Sequence, residues 1–384
     1  MIRILDNKRE ELLVANRKDL EAFDNKDEAM YDRLVVDDQK VDSMIRSLRE
    51  VLAQDDPVNR VISTVTVNDG LEVTNKTAPF GTIMIIYESR PDVTVEAAVL
   101  AFKANNKILL KGGKEAFNSN HTLAGFWQEA LRESGLPSDW IQLLTLDRAA
   151  TREFLKNPPE KLDLIVPRGG EKLIAFVREH ARCAVLVSGR GNNFLYVDEA
   201  ADWEQSLKVI LNAKTDKISA CNALDKILIS KKLPGYENKL RQLRDVLCAN
   251  GVTILVDGDV KVVLPEEELI NGEAVWYEEF LAMKCCIGAV EDVDEAIART
   301  NIYSGGHSAV IMTRDDGNAT RFMEQVDSAA VYHNASTRFT DGGQMGVGAE
   351  LAISTEKLHH RGPLGLKELV TNKYYVTGDG HIRR

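Results

Sequence analysis

The sequence predicts an α/β protein built from two Rossmann-like α/β domains and a β-hairpin arm. Three observations carry this expectation. Short apolar runs alternate with amphipathic stretches of helical period twice along the chain, once from Phe80 and again from about Trp203. Before the first series, Val, Thr and Ile alternate with polar neighbours on both sides of an "NDG" turn. At 384 residues the chain is too long for one small core, so two or three domains are expected.

Residues 1–55 read as amphipathic helices. Leu12, Leu13, Leu20 and Phe23, then Val41, Met44, Ile45, Leu48 and Leu52, recur at steps of three and four, and Pro57 ends the section. In "NRVISTVTVNDGLEVTNKTAP" the period drops to two, which predicts a hairpin. A ribbon placed there has few internal partners, so it is either an oligomerisation arm or an edge ribbon packed on its own subunit. Next come the strand "GTIMIIY", the helix "TVEAAVLAFKAN", the strand "KILLK" and the helix "HTLAGFWQEALRES". The strands "IQLLTL" and "LDLIVP" follow, each with a helix after it, "ATREFLKN" and "GGEKLIAFVREH". Short buried strands alternating with helices imply a parallel sheet covered on both faces. The second series runs from "WEQSLKVILNA" through "KILIS", "VTILVD", "CCIGAV" and "HSAVIMT" to "AAVYHNA". Two such domains in series are expected to supply cofactor and catalytic residue from different halves.

A net charge of −11 argues against a nucleic-acid binder, which needs clustered Lys and Arg against phosphate. The first residues do not read as an export signal, and no apolar run is long enough for a transmembrane helix. Five cysteines, an odd number without regular spacing, suit a reducing compartment, so a cytoplasmic protein is expected.

Ligands in open parallel sheets bind at the carboxyl ends of strands, which directs attention to "YESRPDVT", "KGGKEA" and "VPRGGEKL". Two of these loops set Gly-Gly beside a basic residue: Gly112 and Gly113 between Lys111 and Lys114, and Gly169 and Gly170 after Arg168. Glycine lets the backbone approach a phosphate, and the cation adds charge-assisted hydrogen bonds; solvated strand-to-helix turns remain the alternative. Neither loop matches the G-x-G-x-x-G or P-loop pattern. Cys221, in "TDKISACNALDKILIS", is by position alone either a nucleophile or a small core-filling side chain. Cys285 and Cys286 lie in an apolar strand and point to opposite faces, and His359 and His360 lack spaced partners, so no metal is expected.

Six motifs then carry a resemblance: "YESRPDVTVEAA", "LLKGGKEA", "VPRGGEKLI", "CNALDKILI", "GGHSAVIMT" and "VYHNASTRFTDGGQMGVGAELAISTEKLHHRGPLGL". Together they resemble the gamma-glutamyl phosphate reductase (glutamate-5-semialdehyde dehydrogenase) family, a branch of the aldehyde dehydrogenase superfamily. The resemblance implies an aldehyde dehydrogenase-like fold. It assigns residues 1–60 and 79–200 to an NADPH-binding domain, 201–350 to a catalytic domain carrying Cys221, 61–78 and 370–384 to an oligomerisation arm, and 351–369 to a return to the cofactor domain. It makes Cys221 the nucleophile. Lys111, Gly112, Gly113 and Lys114 fall on the loop that holds the adenosine ribose and the 2′-phosphate. Arg168, Gly169 and Gly170 fall where relatives pass the cofactor pyrophosphate. Glu279 with Phe280 resembles the Glu-x-Phe contact to the nicotinamide ribose, with altered spacing. Arg338, Thr340 and Arg361 become candidates for holding the glutamyl α-carboxylate or the phosphate, against the alternative of plain salt bridges. Asp92 departs from the pattern, because the family has Asn there to help stabilise an oxyanion; an ionised Asp92 would repel it. A first helix common in relatives is also expected to be missing.

The implied reaction is NADPH-dependent reduction of glutamyl 5-phosphate in proline biosynthesis, through a thioester on Cys221. The stretch "VLVSGRGNNFLYVD" lacks the Glu with which hydrolytic aldehyde dehydrogenases activate water. The rival readings are a hydrolytic or CoA-acylating aldehyde dehydrogenase, and an inactive nucleotide-binding scaffold. A homodimer or homotetramer is expected. So is a partnership with glutamate 5-kinase, because an acyl phosphate hydrolyses and cyclises readily; co-purification would test it.

Overall fold

A computed structural model describes residues 1–24, 28–67 and 70–383, and residues 25–27, 68, 69 and 384 are left aside. The chain divides into two compact units. Unit 1 comprises residues 1–187, 346–352 and 364–384, and unit 2 comprises residues 188–345 and 353–363.

Unit 1 opens with four helices, α1 (Ile2–Asn7), α2 (Arg9–Glu21), α3 (Glu28–Leu34) and α4 (Asp38–Ala53). The antiparallel strands β1 (Val61–Val67) and β2 (Leu71–Pro79) follow, in line with the change to a two-residue period. Asn68 and Asp69, the first two residues of the expected turn, lie outside the described residues. The series continues as β3 (Thr82–Tyr87), α5 (Pro91–Lys103), β4 (Lys107–Lys111), α6 (Phe117–Glu133), β5 (Ile141–Leu143), α7 (Arg148–Lys156), β6 (Leu164–Arg168), α8 (Glu171–His180) and β7 (Ala184–Val185). The five strands form a parallel sheet in the order β5-β4-β3-β6-β7. The chain reverses direction across the sheet between β3 and β6, which is the topological switch point where open sheets bind ligands. Alternate strand residues face opposite cores. Ile83, Ile85 and Leu110 pack with the N-terminal helices, α5 and α6, whereas Met84, Ile86 and Leu109 pack with Leu155 of α7 and Phe176 of α8.

Unit 2 runs β8 (Asn193–Val197), α9 (Trp203–Thr215), β9 (Leu224–Ser230), α10 (Tyr236–Ala249), β10 (Thr253–Val256), α11 (Gly258–Val263), β11 (Glu268–Leu269), α12 (Ala274–Tyr277), β12 (Lys284–Val290), α13 (Val293–Tyr303), β13 (Ser308–Met312), α14 (Asp316–Gln325) and β14 (Ala330–His333). Its seven-stranded sheet has the order β11-β10-β12-β9-β8-β13-β14 and is parallel throughout. Cys285 and Cys286 of β12 face opposite cores, as adjacent strand residues must. The short strands β15 (Ala352–Ser354) and β16 (Gly362–Leu364) pair together, and β17 (Val370–Thr377) joins β2 to complete a three-stranded antiparallel sheet.

Three stretches fall differently from the sequence expectation, and the first is residues 346–350, expected in the catalytic domain but part of unit 1. Residues 188–200 do not close the first domain, because β8 pairs with β9 and β13 and unit 1 ends at Val187. The closing strand of unit 1 is β7, two residues long and too short to register as a period. Residues 353–363, expected to return with the first domain, belong to unit 2.

Candidate active site

In unit 2 the Cys221 loop is held by its backbone. The Asn193 amide nitrogen faces the carbonyl oxygens of Gly191, Cys221 and Ala223 at 2.8, 2.8 and 2.7 Å, and its Oδ1 accepts from the Ser308 N–H at 3.0 Å. One buried amide thus ties the Cys221 turn to the starts of β8 and β13. The next residue, Asn222, donates to the Thr340 carbonyl at 2.9 Å, and its own carbonyl accepts from the Thr337 hydroxyl at 2.6 Å. Gly191 is there for space. A Cβ on it would lie 2.0 Å from the Cys221 carbonyl oxygen and 2.6 Å from its Cα, and that backbone has no room to yield. Residues 181–197, which include this glycine strand entry, contain no carboxylate.

Cys221 and Gly191 precede strands, so this site gathers at the amino ends of a parallel sheet. The rule that looks to carboxyl ends points away from it. Residues 278–283, which lead into β12, complete the set. The Phe280 N–H donates to Asp225 Oδ2 at 2.9 Å, and Lys226 Nζ donates to the Glu278 carbonyl at 2.7 Å. Asp225 also accepts from Lys214 Nζ at 3.0 Å in a pair closed to solvent. Glu279 directly precedes Phe280, so the Glu-x-Phe spacing is met by Glu278.

Of the other cysteines, Cys285 and Cys286 are buried core fillers, Cys183 is half-buried and Cys248 is exposed. Burial pushes the Cys285 and Cys286 thiols up to about 12, and it also raises Cys183 and Cys248. None of the five cysteines forms a disulfide. Among the described residues no group of three His, Cys, Asp or Glu side chains could hold a metal ion.

The substrate candidates part company. Arg338 is tied by Nε to Asp216 at 2.9 Å, while its buried Nη1 has no hydrogen-bond partner and is left as a donor. Arg361 pairs with Asp327 at 2.6 Å, and that pairing, with Lys357, holds the Asp327 carboxyl below its ordinary value. Thr340 is held inside the fold. Its hydroxyl is fully buried and engaged by Ser308 at 2.7 Å and Tyr332 at 2.8 Å, bonds that fix the loop.

In unit 1, Lys111, Gly112, Gly113 and Lys114 line a 240 Å³ cavity with Phe117, Leu143, Leu144 and Leu146. Leucine walls beside Lys114 and Lys111, whose Nζ donates to the Gly112 carbonyl at 2.9 Å, suit an adenosine bearing phosphate. A Cβ on Gly112 would lie 2.2 Å from the Asn120 amide, which itself belongs to a buried chain through Thr94 to the Tyr87 hydroxyl. Burial lowers the Lys111 pKa. At the switch point the Gly170 N–H, at the start of α8, donates to Glu88 Oε2 at 3.0 Å. A carboxylate therefore already sits where the helix terminus attracts an anion. Arg168 donates to the Leu351 carbonyl at 2.8 Å.

Asp92 occupies the first turn of α5. Burial favours its neutral form, but Lys40, with Nζ 2.7 Å from Oδ2, and Arg90 and Arg168 outweigh that and hold the carboxyl below its ordinary value. Asp92 is thus ionised and paired. Its Oδ1 is buried without a partner. One turn on, burial and then Asp92 push Glu96 up to about 7.

Two parallel α/β units, one with a glycine-lysine cavity and one with a cysteine on a strand-entry loop, agree with an aldehyde dehydrogenase-like protein. The aldehyde dehydrogenase family model matches residues 269–350, and an acetylating aldehyde dehydrogenase from Geobacillus thermoglucosidasius shares the fold at TM-score 0.67 and 17% identity, covering 100% of this chain and 93% of that one. The chain belongs to the gamma-glutamyl phosphate reductase family. It is 42% identical over 382 residues to the gamma-glutamyl phosphate reductase of Thermotoga petrophila, covering 99% of this chain and 91% of the relative. It is 40% identical to that of Aquifex aeolicus, covering 99% and 89%. The crystal structure of the Thermotoga maritima enzyme matches at TM-score 0.94 and 41% identity, covering 100% of this chain and 92% of that one.

Proposed function

We propose that the chain reduces L-glutamyl 5-phosphate to L-glutamate 5-semialdehyde with NADPH, releasing phosphate, as the second step of proline biosynthesis from glutamate. The observation that carries this reading is the Cys221 loop, pinned by Asn193 against Gly191 in a stretch without a carboxylate. Cys221 attacks the acyl carbon as thiolate, the C–O bond to phosphate breaks, and a thioester forms. Bound NADPH supplies a hydride for the reduction of that thioester. The hemithioacetal then collapses to the aldehyde, returning the sulfur as thiolate. With no Glu beside Cys221 in residues 181–197 to activate water, the thioester is kept for reduction, and for phosphate in reverse. Lys111, Gly112, Gly113 and Lys114 are assigned to the adenosine ribose and its phosphate, Arg168, Gly169 and Gly170 to the pyrophosphate, Glu279 and Phe280, with Glu278 beside them, to the nicotinamide ribose, and Arg338 and Arg361 to the substrate anions.

The test is reduction of NADP⁺ and NAD⁺ by glutamate semialdehyde with and without phosphate. Phosphate-dependent reduction that prefers NADP⁺ is expected; reduction indifferent to phosphate would sink the reading in favour of a hydrolytic or CoA-acylating enzyme. The reading places the enzyme in the cytoplasm, where its cysteines stay as thiols.

The three-stranded sheet is assigned as the oligomerisation arm of a homodimer or homotetramer. β1 is an edge strand, and Ile62 and Val65 on it are 56% and 52% exposed, a combination that invites pairing with a second copy. Replacing Val65 by Lys is expected to lower the mass seen by light scattering to that of a monomer. An unchanged mass would return the ribbon to its own subunit.

A further inference from the structure

Lys226 is a lysine on a central strand with none of its surface exposed. Burying an ammonium is costly, and in most proteins the cost is offset by a carboxylate. The adjacent carboxylate, Asp225, spends its oxygens elsewhere: Oδ1 on Lys214 Nζ at 3.0 Å and Oδ2 on the Phe280 N–H at 2.9 Å. Lys226 instead donates to the Glu278 carbonyl at 2.7 Å and places Nζ 3.8 Å from the centre of the Phe280 ring. Lys284 takes the same ring at 4.8 Å. Burial lowers the Lys226 pKa, with Asp225, Cys286 and Glu278 opposing the shift and Lys214 adding to it. The partners of this ammonium are therefore the loop itself. Residues 278–283 lie between α12 and β12 without regular structure, and Leu281 among them has φ +47. Such a segment has no ladder to set its place, so side-chain ties must do it.

We infer that Lys226 is a positioning residue that holds the Glu278–Phe280 loop in register for the cofactor, locking it to the strand that leaves the Cys221 loop. The inference rests on the reading that this loop meets the nicotinamide ribose. Asp225 and Lys226 follow Cys221 by four and five residues, so one strand start carries the nucleophile loop and both ties to the cofactor loop. A lysine here costs stability that an apolar side chain would not, which separates positioning from simple support of the fold.

The test is Lys226→Met, which keeps the apolar stem and removes the ammonium, compared with Lys226→Gln, which retains an N–H donor for the Glu278 carbonyl. The readouts are NADPH binding by fluorescence without turnover, KM and kcat, and the thermal midpoint. Expected for Lys226→Met are an NADPH Kd and KM raised about tenfold, a smaller fall in kcat, and a thermal midpoint unchanged or higher, with Lys226→Gln recovering part of the affinity. A lowered midpoint with unchanged NADPH affinity would make Lys226 merely structural and overturn the inference. NADPH binding that Lys226→Met leaves intact overturns this inference alone. Absence of NADPH binding by the unaltered protein overturns the cofactor reading and this inference with it.

Discussion

Replacing Cys221 by alanine is expected to lower phosphate-dependent turnover by at least about 10⁴-fold, because no other group can form the thioester. Stability is expected to change by less than about 1 kcal/mol, since the side chain is small and half-buried and its loop is held through the backbone by Asn193. NADPH binding persists, so a fluorescence titration separates loss of chemistry from loss of fold. Cys221→Ser is expected to fare little better, because a hydroxyl is a far weaker nucleophile than a thiolate near neutral pH. Alkylation needs care: Cys248 is the exposed thiol and will also react, so inactivation must be matched by mass to the peptide carrying Cys221. Unchanged turnover in Cys221→Ala would rule out the nucleophile. A parent protein with no activity would favour the scaffold reading.

The alternation of strands and helices was legible because buried parallel strands are short apolar runs, and "KILLK" coincides with β4 residue for residue. The end of unit 1 was not, since β7 is only Ala184–Val185 and the next clear apolar run, β8, belongs to the other sheet. Sites at carboxyl strand ends came within reach of a general rule, and Lys111 to Lys114 do line a cavity. Cys221 and Gly191 did not, since they enter strands; family motifs pointed to the cysteine, and only the close approach of backbones explains the glycine. Lys226 reads in sequence as a charge at the mouth of a strand. Nothing in its neighbours' pattern says that it is wholly buried, because its partners, Glu278 and Phe280, lie more than fifty residues away. Thr340 reads as an available hydroxyl for the same reason: its captors, Ser308 and Tyr332, come from other strands.

Lys40→Met is expected to be the most damaging change outside the cysteine, and a second substitution is expected to undo much of it. The resemblance sets Asp92 where the family has an amide for the oxyanion, and the expected loss rests on that placement; in the structure Lys40 Nζ lies 2.7 Å from Asp92 and, with Arg90 and Arg168, keeps it ionised. Without Lys40 the carboxylate loses its ion pair and keeps only the charges of Arg90 and Arg168, with Oδ1 already lacking a partner. Breaking the pair is expected to cost about 2 kcal/mol, less than for a fully buried pair because Lys40 is partly exposed. Turnover is expected to fall about 10²-fold, the scale of losing one oxyanion donor, since a bare negative charge then opposes the developing one. The double variant Lys40→Met/Asp92→Asn removes the charge and supplies the amide, so its turnover is expected to recover most of that loss. A double variant no better than Lys40→Met would overturn the electrostatic account. The pH dependence follows from the signs. The folded pKa of Asp92 is depressed, so its stabilising contribution is present above the unfolded value of about 4 and lost as pH falls through the folded value. Glu96 is the opposite case. Its folded pKa is raised to about 7, so its contribution is present below the unfolded value and lost as pH rises through 7. Removing Lys40 lets the depressed Asp92 carboxyl rise and pushes Glu96 further up, and protonation of the pair then does part of the work of Lys40. The deficit in kcat of Lys40→Met is therefore expected to be smaller at pH 6 than at pH 8. A deficit independent of pH would assign Lys40 to substrate binding instead.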